Sequence, residues 1–165
     1  MQSTLRRKRL ESEEVHQILH AKEPIMPTRK ATATWEGTLR EGKGHLTGQS
    51  GLDMRYAFSS RFADEPGTNP EELLAAAHAG CYSMALNAAL ENAGHKAEYV
   101  TTEGQCTLEK LESGMSITKL KLVTRARVPG LDDATFQKFA SDTKTGCIVS
   151  RALSAVPMEL EATLE

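Results

Sequence analysis

Residues 68–86 read TNPEELLAAAHAGCYSMAL. The stretch decides how the rest of the chain must be arranged. Asn69 is a helix N-cap, Pro70 suits the first helical position, and Glu71 and Glu72 favour the positive end of the helix dipole. The pattern runs to Ala93, where Gly94 supplies a C-terminal stop. A helix of about 24 residues, about 36 Å long, follows. Leu73, Leu74, Ala77, Cys81, Met84 and Ala85 share much of one side, and small Ala and Gly residues fill most of the rest. Such a helix is expected to be buried nearly all round. A single domain has little to wrap around it. A second copy of the chain solves that burial problem, and Ala77, Ala79 and Gly80 would let another backbone come close.

The surrounding sequence reads as α+β. On the N-terminal side, ATATWEGTL, GHLTGQS and MRYAFSS are three strands of an antiparallel meander, and residues 61–68 (RFADEPGT) form a turn-rich loop. On the C-terminal side, EYVTTEGQCTLEKL and MSITKLKLVTRARV form a β-hairpin through Glu112-Ser113-Gly114. Pro129-Gly130 breaks it. LDDATFQKFASDTK is a second amphipathic helix with Phe136, Phe139 and Ala140 on one side, Gly146-Cys147 interrupts it, and IVSRALS forms a further helical turn. MELEATLE closes as a strand. Strands, helix, strands, helix, strand is an α+β order, not alternating βαβ units. Residues 1–28 differ in character: Leu10, Val15, Ile18 and Leu19 mark one face of a short helix that Pro24 and Pro27 end. They read as a loosely held extension ahead of a domain spanning 29–165.

The bulk numbers exclude several classes. The chain has 165 residues, 39% hydrophobic and 25% charged, with a formal net charge of -2. That is a soluble globular composition with no electrostatic pull toward nucleic acid or an anionic membrane. No apolar run is read as approaching the roughly 18 residues of a membrane span, and the N-terminus lacks the apolar core of a secretory signal. Cys81, Cys106 and Cys147 are odd in number and widely spaced, so they form neither a disulfide framework nor a paired zinc site. A cytoplasmic location is expected, where a disulfide is usually catalytic or redox-sensing. His16, His20, His45 and His95 are scattered, and neither a metal nor a cofactor is expected.

Geometry limits what can touch the Cys81 thiol. Glu71 lies ten residues earlier on the same helix, about 15 Å along the axis and about 80° off in azimuth. It cannot serve the thiol of its own chain, but it can serve a neighbour's if two such helices cross. From spacing alone, a cysteine in an Ala-rich helix is a small hydrophobe. Cys147, after a glycine at a helix break, and Cys106, in an alternating strand, read the same way. His78, three residues before Cys81, lies near its face. That permits a Cys–His hydrolase dyad, against the plainer reading of a histidine packed or hydrogen-bonded in the core.

NPEELLAAAHAGCYSMAL, the upstream Arg61-Phe62 and the downstream GCIVSRAL together resemble the OsmC/Ohr family of organic hydroperoxide peroxidases. The resemblance runs from about Lys30 to Leu164 and takes in WEGTL, KGHLTGQSG, GTNPEELL and a VPGLD turn. It implies an intertwined homodimer with antiparallel sheets wrapped around long central helices. By position, Cys81 matches the peroxidatic cysteine and Cys147 the resolving one. Arg61 and Glu71 match the residues that activate the thiol and orient the peroxide from the opposite subunit. The implied reaction reduces an organic hydroperoxide through a Cys81 sulfenic acid and a Cys81–Cys147 disulfide, reopened by a dithiol reductant of lipoyl or similar type, in oxidative or osmotic stress defence. An apolar pocket including Phe58, Tyr82 and Met84 would favour alkyl peroxides. One departure stands out. The family commonly has proline after the resolving cysteine, where this chain has Ile148. A non-enzymatic redox sensor or apolar-ligand-binding dimer of the same fold is the alternative.

Overall fold

The computed structural model describes residues 28–165, so the short helix expected within the first 27 residues lies outside the described residues. Two three-stranded sheets and four helices follow. The first sheet is an antiparallel meander, β1 (Ala31–Glu36), β2 (Lys43–Gly48) and β3 (Asp53–Tyr56), in the order β1-β2-β3. Its inner face carries Trp35 and Tyr56, whose rings meet at 5.4 Å. Gly44 lies beneath Tyr56, where an added Cβ would come within 2.3 Å of the ring. Among the described residues the sheet makes no extensive contact with the helices or the second sheet, and β1 is exposed along nearly its whole length.

The third strand ends earlier than the alternation predicts. Met54, Tyr56 and Phe58 keep a period of two, but Phe58–Phe62 is a short helix, α1. Ser60 explains the switch. Its hydroxyl accepts from the Ala57 N–H at 2.9 Å and donates to the Thr68 carbonyl at 2.8 Å, which closes the chain into a turn. Arg61 is therefore held in the last turn of α1, not in an open loop.

The long helix, α2 (Pro70–Asn92), forms as the sequence dictates. The Asn69 side chain accepts from the Glu72 N–H at 2.8 Å, and Gly94 takes a positive φ of 85° after the last turn. By length and composition α2 is long enough and apolar enough to cross a membrane, contrary to the sequence reading. Here it is the core helix, laid across β4 (Tyr99–Leu111) and flanked by α3 (Asp133–Gly146) and α4 (Ile148–Ala152). Gly104 on β4 marks the closest approach, since a Cβ there would sit 2.3 Å from the Ala75 carbonyl oxygen. His78, Tyr82, Leu86 and Leu90 line its buried side.

The second sheet runs β4-β5-β6, with β5 at Gly114–Arg127 and β6 at Met158–Leu164. The expected β4–β5 hairpin forms, with Gly114 at positive φ in its turn. The sheet is not antiparallel throughout. The α3–α4 pair carries the chain back across α2, so β6 enters beside β5 in the same direction and pairs in parallel. Leu122, Ala126, Val128, Phe136 and Cys147 complete the core with the buried side of α2.

The single protomer does not bury α2 all round. Only one side of α2 is buried; Ala76, Ala77, Gly80, Met84, Asn87 and Ala88 form an exposed stripe along the other. Met84 is 76% exposed. The first sheet makes no extensive contact with this side of the helix in the single chain.

Gly104→Ala tests the α2–β4 crossing. The added methyl should cost about 1–3 kcal/mol, a fall of several degrees in thermal midpoint for a domain of this size. An unchanged melting curve would contradict the close approach.

Candidate active site

Two thiols meet beneath the exposed side of α2. Cys81 lies halfway along α2 and is partly exposed; Cys147 lies at the corner between α3 and α4 and is only 2% exposed. Their sulfurs are 3.1 Å apart, although 66 residues separate them in sequence. Asp132 caps the start of α3, accepting from the Thr135 N–H at 3.0 Å, and the corner forms at its other end, where Cys147 leaves helical geometry with ψ 132° before α4 begins. The Tyr82 hydroxyl ties α2 to α3 through the Ala140 carbonyl at 3.0 Å. A second polar rung ties α2 to α4: His78 Nε2 and Ser150 Oγ are 2.9 Å apart.

The two sulfurs differ electrostatically. Burial raises the Cys81 thiol, the neighbouring Cys147 adds to the rise, and the N–H groups of Val149 and Ile148 only partly offset it. Burial also raises Cys147, but the Ser150 N–H, the Cys81 thiol, the Ser150 hydroxyl and the Val149 N–H outweigh it, and Cys147 falls below its ordinary range. Within one protomer Cys147 is therefore the more acidic of the two thiols. Ile148, at the position where proline is common, contributes an N–H that proline lacks. Its side chain is 74% exposed.

Arg61 and Glu71 meet each other, not the thiols. The Arg61 guanidinium clasps both Glu71 oxygens, with Nε at 3.2 and 3.1 Å and Nη2 at 2.5 Å. Glu71 is buried at the start of α2, while Arg61 keeps a third of its side chain exposed. Because α2 is one unbroken helix, Glu71 and Cys81 of one chain stand about 15 Å apart along its axis. Neither Arg61 nor Glu71 perturbs Cys81.

The other candidates fall elsewhere. Cys106 sits in β4 opposite Leu120; burial first, then the Glu71 charge, pushes its thiol up. Phe58, Tyr82 and Met84 do not share a pocket. Phe58 stacks on Phe62 beneath Arg40, Tyr82 is fully buried, and Met84 faces outward. A hollow of about 310 Å³ beside Cys147 is instead lined by Ala85, Ala89, Phe139, Asp142, Thr143 and Gly146. Among the described residues no three His, Cys, Asp or Glu side chains converge into a metal-binding group. The His78–Ser150 rung escaped the sequence reading. Its signal is a matched spacing, since His78 precedes Cys81 by three residues and Ser150 follows Cys147 by three.

Comparison with known proteins gives this arrangement its class. The family described as OsmC-like protein matches residues 63–161. Peroxiredoxin OsmC of Escherichia coli (strain K12) is 43% identical over 129 residues, covering 77% of this chain and 90% of its own. An organic hydroperoxide resistance protein from Elizabethkingia anophelis shares the fold, with a TM-score of 0.66 at 24% identity over 87% of this chain and 99% of that one. The organic hydroperoxide resistance protein OhrB of Bacillus subtilis superposes with a TM-score of 0.59 at 25% identity, covering 82% and 98%. The chain belongs to the OsmC family.

The Arg61–Glu71 clasp has a measurable signature. Burial alone would raise Glu71, but its bonds to Arg61 prevail and the carboxyl titrates below its ordinary value of 4.5. A depressed folded-state pKa contributes stability that is present above the unfolded value and is lost as pH falls through the folded one. Below about pH 4.5, denaturant stability of the parent should therefore fall more steeply with acid than that of Glu71→Gln. Identical slopes would contradict the clasp.

Proposed function

We propose that this chain is a thiol-dependent peroxidase that reduces organic hydroperoxides through Cys81 and Cys147. The observation that carries the reading is the 3.1 Å separation of a partly exposed and a buried sulfur, at positions matching the peroxidatic and resolving cysteines. In the first step the Cys81 thiolate attacks the distal peroxide oxygen. An S–O bond forms, the O–O bond breaks, and the alkoxide leaves as alcohol after taking a proton. Cys81 becomes a sulfenic acid. Cys147 then condenses with it, releasing water and leaving the Cys81–Cys147 disulfide. A dithiol of lipoyl type returns both thiols by exchange. No bound cofactor enters this sequence, and the reducing cytoplasm suits it.

The first step needs the Cys81 thiolate. An ordinary cysteine is only a few per cent ionised at neutral pH, and burial makes Cys81 less acidic still. No cation among the described residues of the same chain relieves this. Arg61 is a fixed, permanently charged fork already oriented by Glu71. The exposed Ala/Gly/Met stripe of α2 is a surface on which a second α2 can lie closely. Two copies packed on this stripe bring Arg61 of each toward Cys81 of the other. This homodimer gives the site its missing charge and covers the bare helix at the same time. The hollow beside Cys147, with Ala85, Ala89 and Phe139 on its wall, is suited to an alkyl group.

Cumene hydroperoxide with a lipoyl dithiol should be turned over many times per protein. Cys81→Ser should lower the rate by at least about a thousandfold, and Cys147→Ser should leave Cys81 as a trapped or over-oxidised acid. Mass spectrometry after one equivalent of hydroperoxide should find the Cys81–Cys147 bridge. A single oxidation without turnover would favour the redox sensor instead, and no oxidation at Cys81 would reject both.

A further inference from the structure

A cleft of about 710 Å³ opens where the ends of α3 and α4 face the approach to β6. Its volume lies in the range of small-molecule sites. Lys144, in the last turn of α3, and Arg151, in the last turn of α4, line it together. Thr145 and Ser154 add hydroxyls, and residues 155–158, Ala-Val-Pro-Met, form an apolar wall. Cys81 and Cys147 do not line it. At its base lies Ser150, 4% exposed, whose Oγ is 2.9 Å from His78 Nε2. That contact leaves His78 no free Nε2 for the hydrolase dyad that the sequence permits.

The lining carries two cations and no acid. The chain as a whole has a formal net charge of -2, so the cleft is a local reversal of sign. A cation near a helix C-terminus complements the helix dipole, which accounts for Lys144 and Arg151 one at a time. It does not account for two cations from separate helices on one hollow, where like charges repel. The neighbouring acids are engaged elsewhere. Asp142 pairs with Lys138 at 2.5 Å, Glu159 with Lys119 at 3.9 Å and Glu161 with Lys121 at 2.5 Å. Among the described residues neither Lys144 nor Arg151 has a salt-bridge partner.

We infer that this cleft is a binding site for a small organic acid with an apolar tail. The carboxylate lies between Lys144 and Arg151, and the tail runs along Val156, Pro157 and Met158. A guanidinium donates to a carboxylate through a fixed fork, and an ammonium adds a compact charge beside it. An anion between the two cations turns their repulsion into attraction. Inorganic phosphate would satisfy the cations but leave the apolar wall bare, so the wall selects for a tailed acid.

The wall is already in place without a ligand. The Val156 N–H donates to the Leu153 carbonyl at 3.0 Å, and the Pro157 carbonyl accepts from the Leu120 N–H at 2.9 Å, which pins the turn to β5. Pro157 fixes its own φ. A preformed wall spares the ligand the cost of ordering it. A bound acid joins the C-terminal ends of α3 and α4, the two helices that meet at Cys147.

Isothermal titration calorimetry of the reduced full chain with octanoate, octanamide, butyrate and inorganic phosphate tests the site. Octanoate should bind saturably. Octanamide, which lacks the charge, and butyrate, which has a shorter tail, should each bind at least about tenfold more weakly. Lys144→Met and Arg151→Met should each weaken octanoate about tenfold, whereas Lys144→Arg should keep most of the affinity. No saturable binding of octanoate, equal binding of octanamide, or parental affinity in both Lys144→Met and Arg151→Met would overturn the inference. Phosphate or butyrate binding as tightly as octanoate would also overturn it, since the wall would then select nothing. The titration reads no peroxidase step, so this inference and the function proposed above can fail separately.

Discussion

Two sulfurs held 3.1 Å apart in a largely apolar corner cannot both carry charge comfortably. Much of the fold serves that contact. The long reach of α2 places Cys81 far from both helix ends, so neither terminus of its own helix can stabilise a thiolate there. The break at Cys147 turns the first N–H groups of α4 toward the pair, and the Tyr82 and His78 rungs fix the corner against α2. Within the protomer these donors favour charge on Cys147. That suits the second step of a two-cysteine reaction and hinders the first.

The proposed homodimer would answer both the hindrance and the exposed helix. A single chain leaves the Ala/Gly/Met stripe of α2 bare, keeps its first sheet out of extensive contact with the core, and holds the Arg61 guanidinium on Glu71 at the start of the helix, far from Cys81. A second copy in the proposed homodimer would resolve all three. The small residues of the stripe would admit a close helix, the sheet would cover the neighbour, and the Arg61–Glu71 clasp would arrive at the neighbour's Cys81. A guanidinium arriving there would reverse the order of the two pKa values and put the first charge on the nucleophile.

Much of this was legible in the residues, and the exceptions have physical causes. The cap Asn69, the acidic first turn and the Gly94 stop define α2 to within a residue, because local backbone chemistry decides helix ends. The β4–β5 hairpin is equally clear from alternation around Gly114. Residues 58–60 misled because a period of two continues through them while Ser60, bonded across to Thr68, curls the chain. The parallel pairing of β6 depends on how α3 and α4 return over α2, which no local pattern encodes. At the site, the long axial distance between Glu71 and Cys81 follows from helix geometry alone, but the His78–Ser150 contact spans 72 residues and needs the fold. Phe58, Tyr82 and Met84 looked like a pocket because all three are large and apolar; burial assigns them to three different surroundings.

The proposed action of Arg61 on the other copy's Cys81 is tested most directly by mixing two inactive proteins. Arg61→Ala keeps its thiol and Cys81→Ser keeps its guanidinium. A hybrid dimer has one intact site of two, and random pairing makes half the dimers hybrid, so about a quarter of the parental peroxidase activity should return. A mixture as inactive as its components, with hybrid dimers demonstrably present, would contradict a guanidinium acting across the interface.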